Sequence, residues 1–115
     1  MTLESYRKYC LGKKGVTEGL PFGPEVLVFK VMGKMFALSG VEDFESINLK
    51  VDPDKGAELR DQYPAVQEAY HMSKKHWITV MMDGTLPDKL VREWIDTSYD
   101  LVVSGLPRKD QAKLG

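Results

Sequence analysis

The sequence predicts an α+β fold, an antiparallel sheet of hairpins packed by helices. Three observations carry that reading. Two largely apolar runs, 26–32 and 35–39, whose side chains alternate between two faces, flank a central Gly33-Lys34, the pattern of a hairpin. Ile47, Leu49 and Val51 repeat the alternation further on, with Asn48 and Lys50 between them. Leu90, Val91, Trp94, Ile95, Ser98, Leu101 and Val102 recur instead at spacings of three and four, which is one broad face of a helix. The resulting order is helix, three or four strands, helix, hairpin, helix, as in an antiparallel-rich α+β domain.

The first helix begins at Thr2, an N-cap residue type, and shows Leu3, Tyr6, Cys10 and Leu11 on one face. Gly12 and Gly15 end it, with Lys13 and Lys14 near the negative end of its dipole. Val16 to Leu20 reads as a short strand closed by the turn Pro21-Phe22-Gly23-Pro24. Strands over 26–32 and 35–39 follow, with Gly33-Lys34 as a two-residue turn that sets Met32 opposite Met35. That register puts Leu27, Phe29, Val31, Phe36 and Leu38 on a core face. It puts Lys30, Met32, Met35, Ala37 and Ser39 on an open one. Asp52-Pro53 starts a short helix with aspartate as N-cap and proline at the first helical position, and Pro64 ends it. Residues 64–69 fit no element clearly. Tyr70–Met72 and His76–Met82 are expected to form a second hairpin, and Asp83-Gly84 turns the chain into the long helix from Pro87-Asp88 to Gly105. From Pro107 onward the chain is polar and expected to fray.

A chain of 115 residues is expected to form one domain over 1–115, large enough to bury a core without disulfides or metal. Sixteen Lys and Arg against seventeen Asp and Glu give a net charge of −1. That argues against a strongly basic nucleic-acid binder while leaving room for a local patch. The single cysteine, Cys10, rules out an internal disulfide framework and reads as a small buried apolar group. No apolar run approaches the roughly 18 residues that span a bilayer. The N-terminal residues show no basic segment followed by an apolar one, so a cytoplasmic location is expected, with no membrane partner.

Candidate chemistry concentrates in Tyr70-His71-Met72-Ser73-Lys74-Lys75-His76-Trp77-Ile78, which holds both histidines, two adjacent lysines and two large aromatics. Two histidines without a cysteine or carboxylate cluster are too few for a zinc site, so no metal and no cofactor is expected. Ser73 and His76 lack a third group to orient the histidine and a nucleophile elbow. Gly33-Lys34 lacks the pattern of a phosphate-binding loop. No enzymatic reaction is therefore expected. Lys30, Lys34, Lys50, Lys74 and Lys75, with His76 beside them, are the candidate phosphate contacts, since cations at hairpin tips suit a nucleic-acid backbone. The competing role for such lysines is to keep strand edges from pairing with other chains. Trp77 and Trp94 are read as core residues, Trp77 stacking on an unpaired base only if it faces the open side.

These pieces resemble the MmcQ/YjbR family: Pro21-Phe22-Gly23, Phe29-Lys30-Val31, Gly33-Lys34, Phe36-Ala37 and Asn48-Leu49-Lys50, then the segment 70–77, Asp83-Gly84, and Ser98-Tyr99-Asp100-Leu101-Val102. Together they cover about residues 1–107, and their order and spacing are more specific than any one of them. Gln67-Glu68-Ala69 departs from the family pattern, which more often has a proline before Ala-Tyr. The resemblance implies a CyaY-like two-layer sandwich, a double-wing arrangement and an assignment to DNA binding that itself rests on fold analogy. Such a fold also raises iron binding, but the first helix carries Glu4 alone beside Arg7, Lys8, Lys13 and Lys14. The expectation is a DNA-binding or regulatory module with double-stranded DNA as partner. The alternative is a module binding a protein or small-molecule ligand on the open sheet face, for which a concave apolar pocket containing Met32, Met35 and Trp77 would speak.

Overall fold

A computed structural model describes every residue except His71. The chain forms α1 (Leu3–Leu11), β1 (Val16–Gly19), β2 (Val26–Val31), β3 (Lys34–Gly40), β4 (Ser46–Lys50) and α2 (Pro53–Gln62). It continues with β5 (Val66–Glu68), β6 (Trp77–Met81), α3 (Asp88–Ser104) and α4 (Arg108–Lys113). All strand pairs are antiparallel, in the order β1-β2-β3-β4-β6-β5. The expected α+β architecture is what the structure shows.

The helix ends follow from their residues. Thr2 and Ser5 form a reciprocal capping box on α1, and Asp52 caps α2 with Pro53 in its first turn. Helices α1, α2 and α3 send Tyr6, Leu59 and Ile95 into one core with Phe29, Ile47 and Ile78 of the sheet. The ring of Tyr6 meets Phe29 edge-on at 5.3 Å, and Trp94 of α3 meets Tyr63, the C-cap of α2, at 5.1 Å. The long helix thus packs on the sheet with the expected stripe, Val91, Trp94, Ile95 and Ser98 buried.

Five expectations need correction. The β2–β3 turn is Met32-Gly33, not Gly33-Lys34, and Val31 faces Lys34 while Lys30 faces Met35. Met32 has φ 50° and Gly33 φ 83°, so both central residues are left-handed, as a type I′ turn requires. Glycine serves as the second central residue rather than the first. The faces of β3 also differ. The register shifts between Phe29 and Lys30, which leaves Phe36 as an extra residue between the pairs Phe29–Ala37 and Lys30–Met35. Beyond this bulge Ala37 and Ser39 lie on the core face, paired with Leu49 and Ile47, and Leu38 lies on the other face beside Val28 and Asn48.

The partner of β6 is Val66–Glu68, not the segment at Tyr70 and Met72. Val66 is the residue that completes the core beside Val80, whereas Tyr70 is 70% exposed. His71, one of the two histidines of the segment 70–78, lies outside the described residues. Finally, the C-terminal segment is not frayed. It forms α4, and Leu114 packs on Gly15 so closely that a Cβ there would collide. Leu11, expected on the apolar face of α1, is exposed at the helix's last residue.

Trp94→Ala should cost about 3–5 kcal/mol, the range for removing a large buried aromatic. Urea denaturation measures this, and a loss below about 1 kcal/mol would mean that α3 does not pack through that ring.

Candidate nucleic-acid interface

The bulge at Phe36 decides where a site can form. β3 and β4 pair through Ala37–Leu49, Leu38–Asn48 and Ser39–Ile47. The next pair would be Phe36 and Lys50, and there a side chain from α3 takes the partner's place. Ser98 Oγ donates to the Phe36 carbonyl at 2.6 Å and accepts from the Lys50 amide at 2.9 Å. A hydroxyl can donate and accept at once, so one serine satisfies both backbone groups of a ladder that has come apart. Ser98 is fully buried. Past it the two strands diverge, and the sheet ends in a fork.

The fork encloses an open cleft of about 530 Å³. One wall is the start of β3, with Lys34 exposed and Met35 half-buried. The facing wall is the end of β4 and the start of β6, with Lys50, His76 and Trp77. Leu101, Val102 and Leu106, from α3 and the turn after it, form the apolar floor. Trp77 is 6% exposed, and Lys50 Nζ lies 5.4 Å from the centre of its ring. Asp52 is the carboxylate on the cleft, and it is engaged as the cap of α2, accepting from the Lys55 amide at 3.4 Å.

The six candidate contacts therefore divide. Lys34, Lys50 and His76 share the fork. Lys75 is exposed on the turn immediately before His76. Lys74, on the same turn, is tied to Glu68 at 3.5 Å. Lys30 lines a different groove with Thr17, Leu20 and Val28. Of the three residues named for the alternative pocket, Met35 and Trp77 line the cleft, while Met32 sits at the turn beside Gly15 and Leu114. Sequence reading gave Ser98 no role beyond the apolar stripe. The available signal was a serine at the centre of an otherwise apolar helix face, where its hydroxyl must find a partner.

The opposite ends of the same two strands carry the opposite charge. Glu25, Glu42, Asp43 and Glu45 surround the exit from β3 and the approach to β4. The cations and carboxylates are thus separated along the sheet, which a net charge of −1 does not reveal. Among the described residues no group of three or more His, Cys, Asp or Glu is placed to hold a metal ion. Cys10 is buried against the sheet, and burial pushes its thiol up to about 12. Among the described residues no helix is long and apolar enough to cross a membrane.

Fold and fork together define an α+β domain, a six-stranded antiparallel sheet packed by helices. The YjbR family model matches residues 11–101, and the chain belongs to that family. It is 44% identical over 95 residues to the uncharacterised protein YbdF of Escherichia coli, spanning 82% of this chain and 78% of that one. It is 32% identical over 115 residues to the uncharacterised protein YjbR of Escherichia coli, spanning 99% and 98%. The fold matches the crystal structure of a Deinococcus radiodurans protein with a DUF419 domain at a TM-score of 0.90 and 40% identity, covering 99% of this chain and 88% of that one. A Pseudomonas syringae crystal structure matches at 0.74 and 30% identity, covering 88% and 98%.

Ser98→Ala should destabilise the fold by about 1–3 kcal/mol, because it leaves a buried carbonyl and a part-buried amide unpaired. A urea midpoint unchanged from the parent would show that the bridge is dispensable. Cys10 should react with a thiol reagent far more slowly in the folded protein than in denaturant, since the reactive thiolate is scarce and enclosed. Equal rates in the two states would place the thiol in solvent.

Proposed function

We propose that this protein is a non-enzymatic nucleic-acid-binding or regulatory module that holds phosphates at the fork end of its sheet. The observation that carries this is the convergence of Lys34, Lys50 and His76 on one open cleft, with Lys75 exposed on the turn just before His76. A cation on each wing lets a phosphate backbone bridge the fork, and phosphate contacts supply affinity independent of sequence. The carboxylates at the far end of β3 and β4 favour approach in one orientation, fork first. The non-enzymatic reading is supported by the state of the nucleophile candidates. The Ser98 hydroxyl is buried and committed in both directions, and the Cys10 thiol is enclosed and held protonated.

A second reading has its own observation. Met35, Leu101, Val102 and Leu106 give the cleft apolar surface that a phosphate backbone does not use. A small anion with an apolar body would use both the surface and the cations.

Fluorescence anisotropy with a labelled random-sequence duplex tests the first reading. With three to five phosphates neutralised, the log–log salt slope should be about −3 to −4.5. Lys34→Ala with Lys75→Ala should weaken all sequences alike and bring the slope about 2 closer to zero. Binding that ignores salt, or a double variant as tight as the parent, would remove the fork from nucleic-acid recognition and leave the small-anion reading in front.

A further inference from the structure

We propose that the fork takes in a single unpaired nucleotide, so that the protein prefers single-stranded nucleic acid to duplex. This rests on the reading of the fork as a phosphate-binding end and adds which form of nucleic acid fits it.

Shape separates the two forms. The cleft is concave, and its volume of about 530 Å³ lies within the range of sites that enclose an organic group. A duplex is convex at its backbone and keeps its bases stacked inside. It can offer phosphates to Lys34 and Lys50 on the two wings, but nothing that reaches the floor between them. Leu101, Val102 and Met35 are all half-buried, so they keep solvent-accessible surface inside the cleft. A base swung out of a single strand presents a flat apolar face flanked on either side by phosphate. The fork presents the complement, an apolar floor between two cationic walls.

The side chains suit a base in particular. Methionine sulfur makes favourable contacts with aromatic rings, and its flexible chain adapts to either a purine or a pyrimidine. His76 is exposed at the cleft and offers a ring on which a base can stack. Trp77 has a different part. Its ring is almost wholly covered and lies under the Lys50 ammonium, so it serves as the back of the site rather than as a stacking surface. A phosphate that draws Lys50 toward it alters the field at that ring, which makes Trp77 a built-in reporter of occupancy.

The test compares a labelled fifteen-residue oligothymidine with a duplex of the same length by anisotropy at one salt concentration, using the intact protein. Stacking of one base contributes a factor of about five to a hundred or more, so the single strand should bind at least about fivefold more tightly. Met35→Ser should lower single-strand affinity and leave duplex affinity unchanged, whereas Lys34→Ala should weaken both. In a Trp94→Phe background, where Trp77 is the sole tryptophan, oligothymidine should change its emission. If that background does not fold, the emission change is read as the difference between the parent and Met35→Ser. Duplex binding equal to or tighter than single-strand binding overturns the inference and leaves the phosphate reading standing. Single-strand binding that ignores Met35→Ser and leaves Trp77 unchanged also overturns it, since the strand then lies elsewhere. If neither nucleic acid binds, both readings fail, and saturable one-to-one binding of anilinonaphthalene sulfonate would then assign the cleft to small aromatic anions.

Discussion

The interaction on which the rest of the molecule depends is the pair of hydrogen bonds made by Ser98. A bulge adds one residue to β3, and a strand with an added residue bends away from its neighbour. Without compensation, the bend would leave the buried Phe36 carbonyl and the part-buried Lys50 amide unpaired, a cost of about 1–3 kcal/mol for the two together. Alanine or valine would fill the space on the helix face and satisfy neither group. Serine satisfies both, and in doing so it fixes the distance and rotation of α3 against the sheet. One turn of contacts follows from that placement. Phe36 meets the ring of Tyr99 edge-on at 5.5 Å, and the Tyr99 hydroxyl donates to the Lys14 carbonyl at 2.5 Å, which ties α3 to the connection between α1 and β1. Nearby, the Tyr9 hydroxyl and the Lys13 ammonium both donate to Asp96 Oδ1, at 2.6 and 2.5 Å, closing α1 onto α3.

The same bulge separates core from site. On the paired side of Ser98, β3 and β4 contribute Ala37, Ile47 and Leu49 to a sealed interior. On the other side, the strand ends carry Lys34, Met35 and Lys50, which are exposed or half-buried. Residues at the fork can therefore change with little cost to the core, which is the usual condition for placing recognition on a rigid scaffold. The charge separation along β3 and β4 works at longer range than the cleft. Four carboxylates lie at the other end of β3 and β4 from Lys34 and Lys50, and on the proposed reading they would favour a polyanion that approaches fork first. Salt weakens that effect beyond a Debye length of about 8 Å at physiological ionic strength.

Much of this was readable from the residues, and the misses share a cause. Helix caps at Thr2 and Asp52, the stripe through Trp94 and the strand at Ile47–Val51 depend on short-range patterns, and the structure has them where the patterns place them. The β2–β3 register went astray because period-two alternation cannot register an inserted residue: Phe36 and Ala37 are both apolar and adjacent, which alternation treats as one in and one out. The strand at Val66–Glu68 was hidden by its length of three residues and its two exposed polar positions. Helix α4 was hidden because its anchor, Leu114, lies outside it and meets Gly15 near the opposite end of the chain. The candidate lysines were found by type, but which of them converge depends on the fork, and the fork depends on a hydroxyl from a distant helix.

Lys50 shows how the fork stands ready without being locked. Its amide belongs to the structural bridge, and its ammonium rests over Trp77. A cation–π contact of this kind contributes about 0.5–1 kcal/mol at a partly exposed site, whereas a hydrogen bond from an ammonium to an anion contributes about 1.5–3 kcal/mol. The hydrogen bond to an anion is the stronger of the two, so on the proposed reading a phosphate would take the ammonium from the ring. The contact with Trp77 restrains the Lys50 side chain at the cleft, which would lower the entropy lost if an anion binds there. The backbone of Lys50 stays fixed by Ser98 throughout. One residue thus joins the interaction that splits the sheet to the surface that the split creates, and a defect at Ser98 would reach the cleft through it.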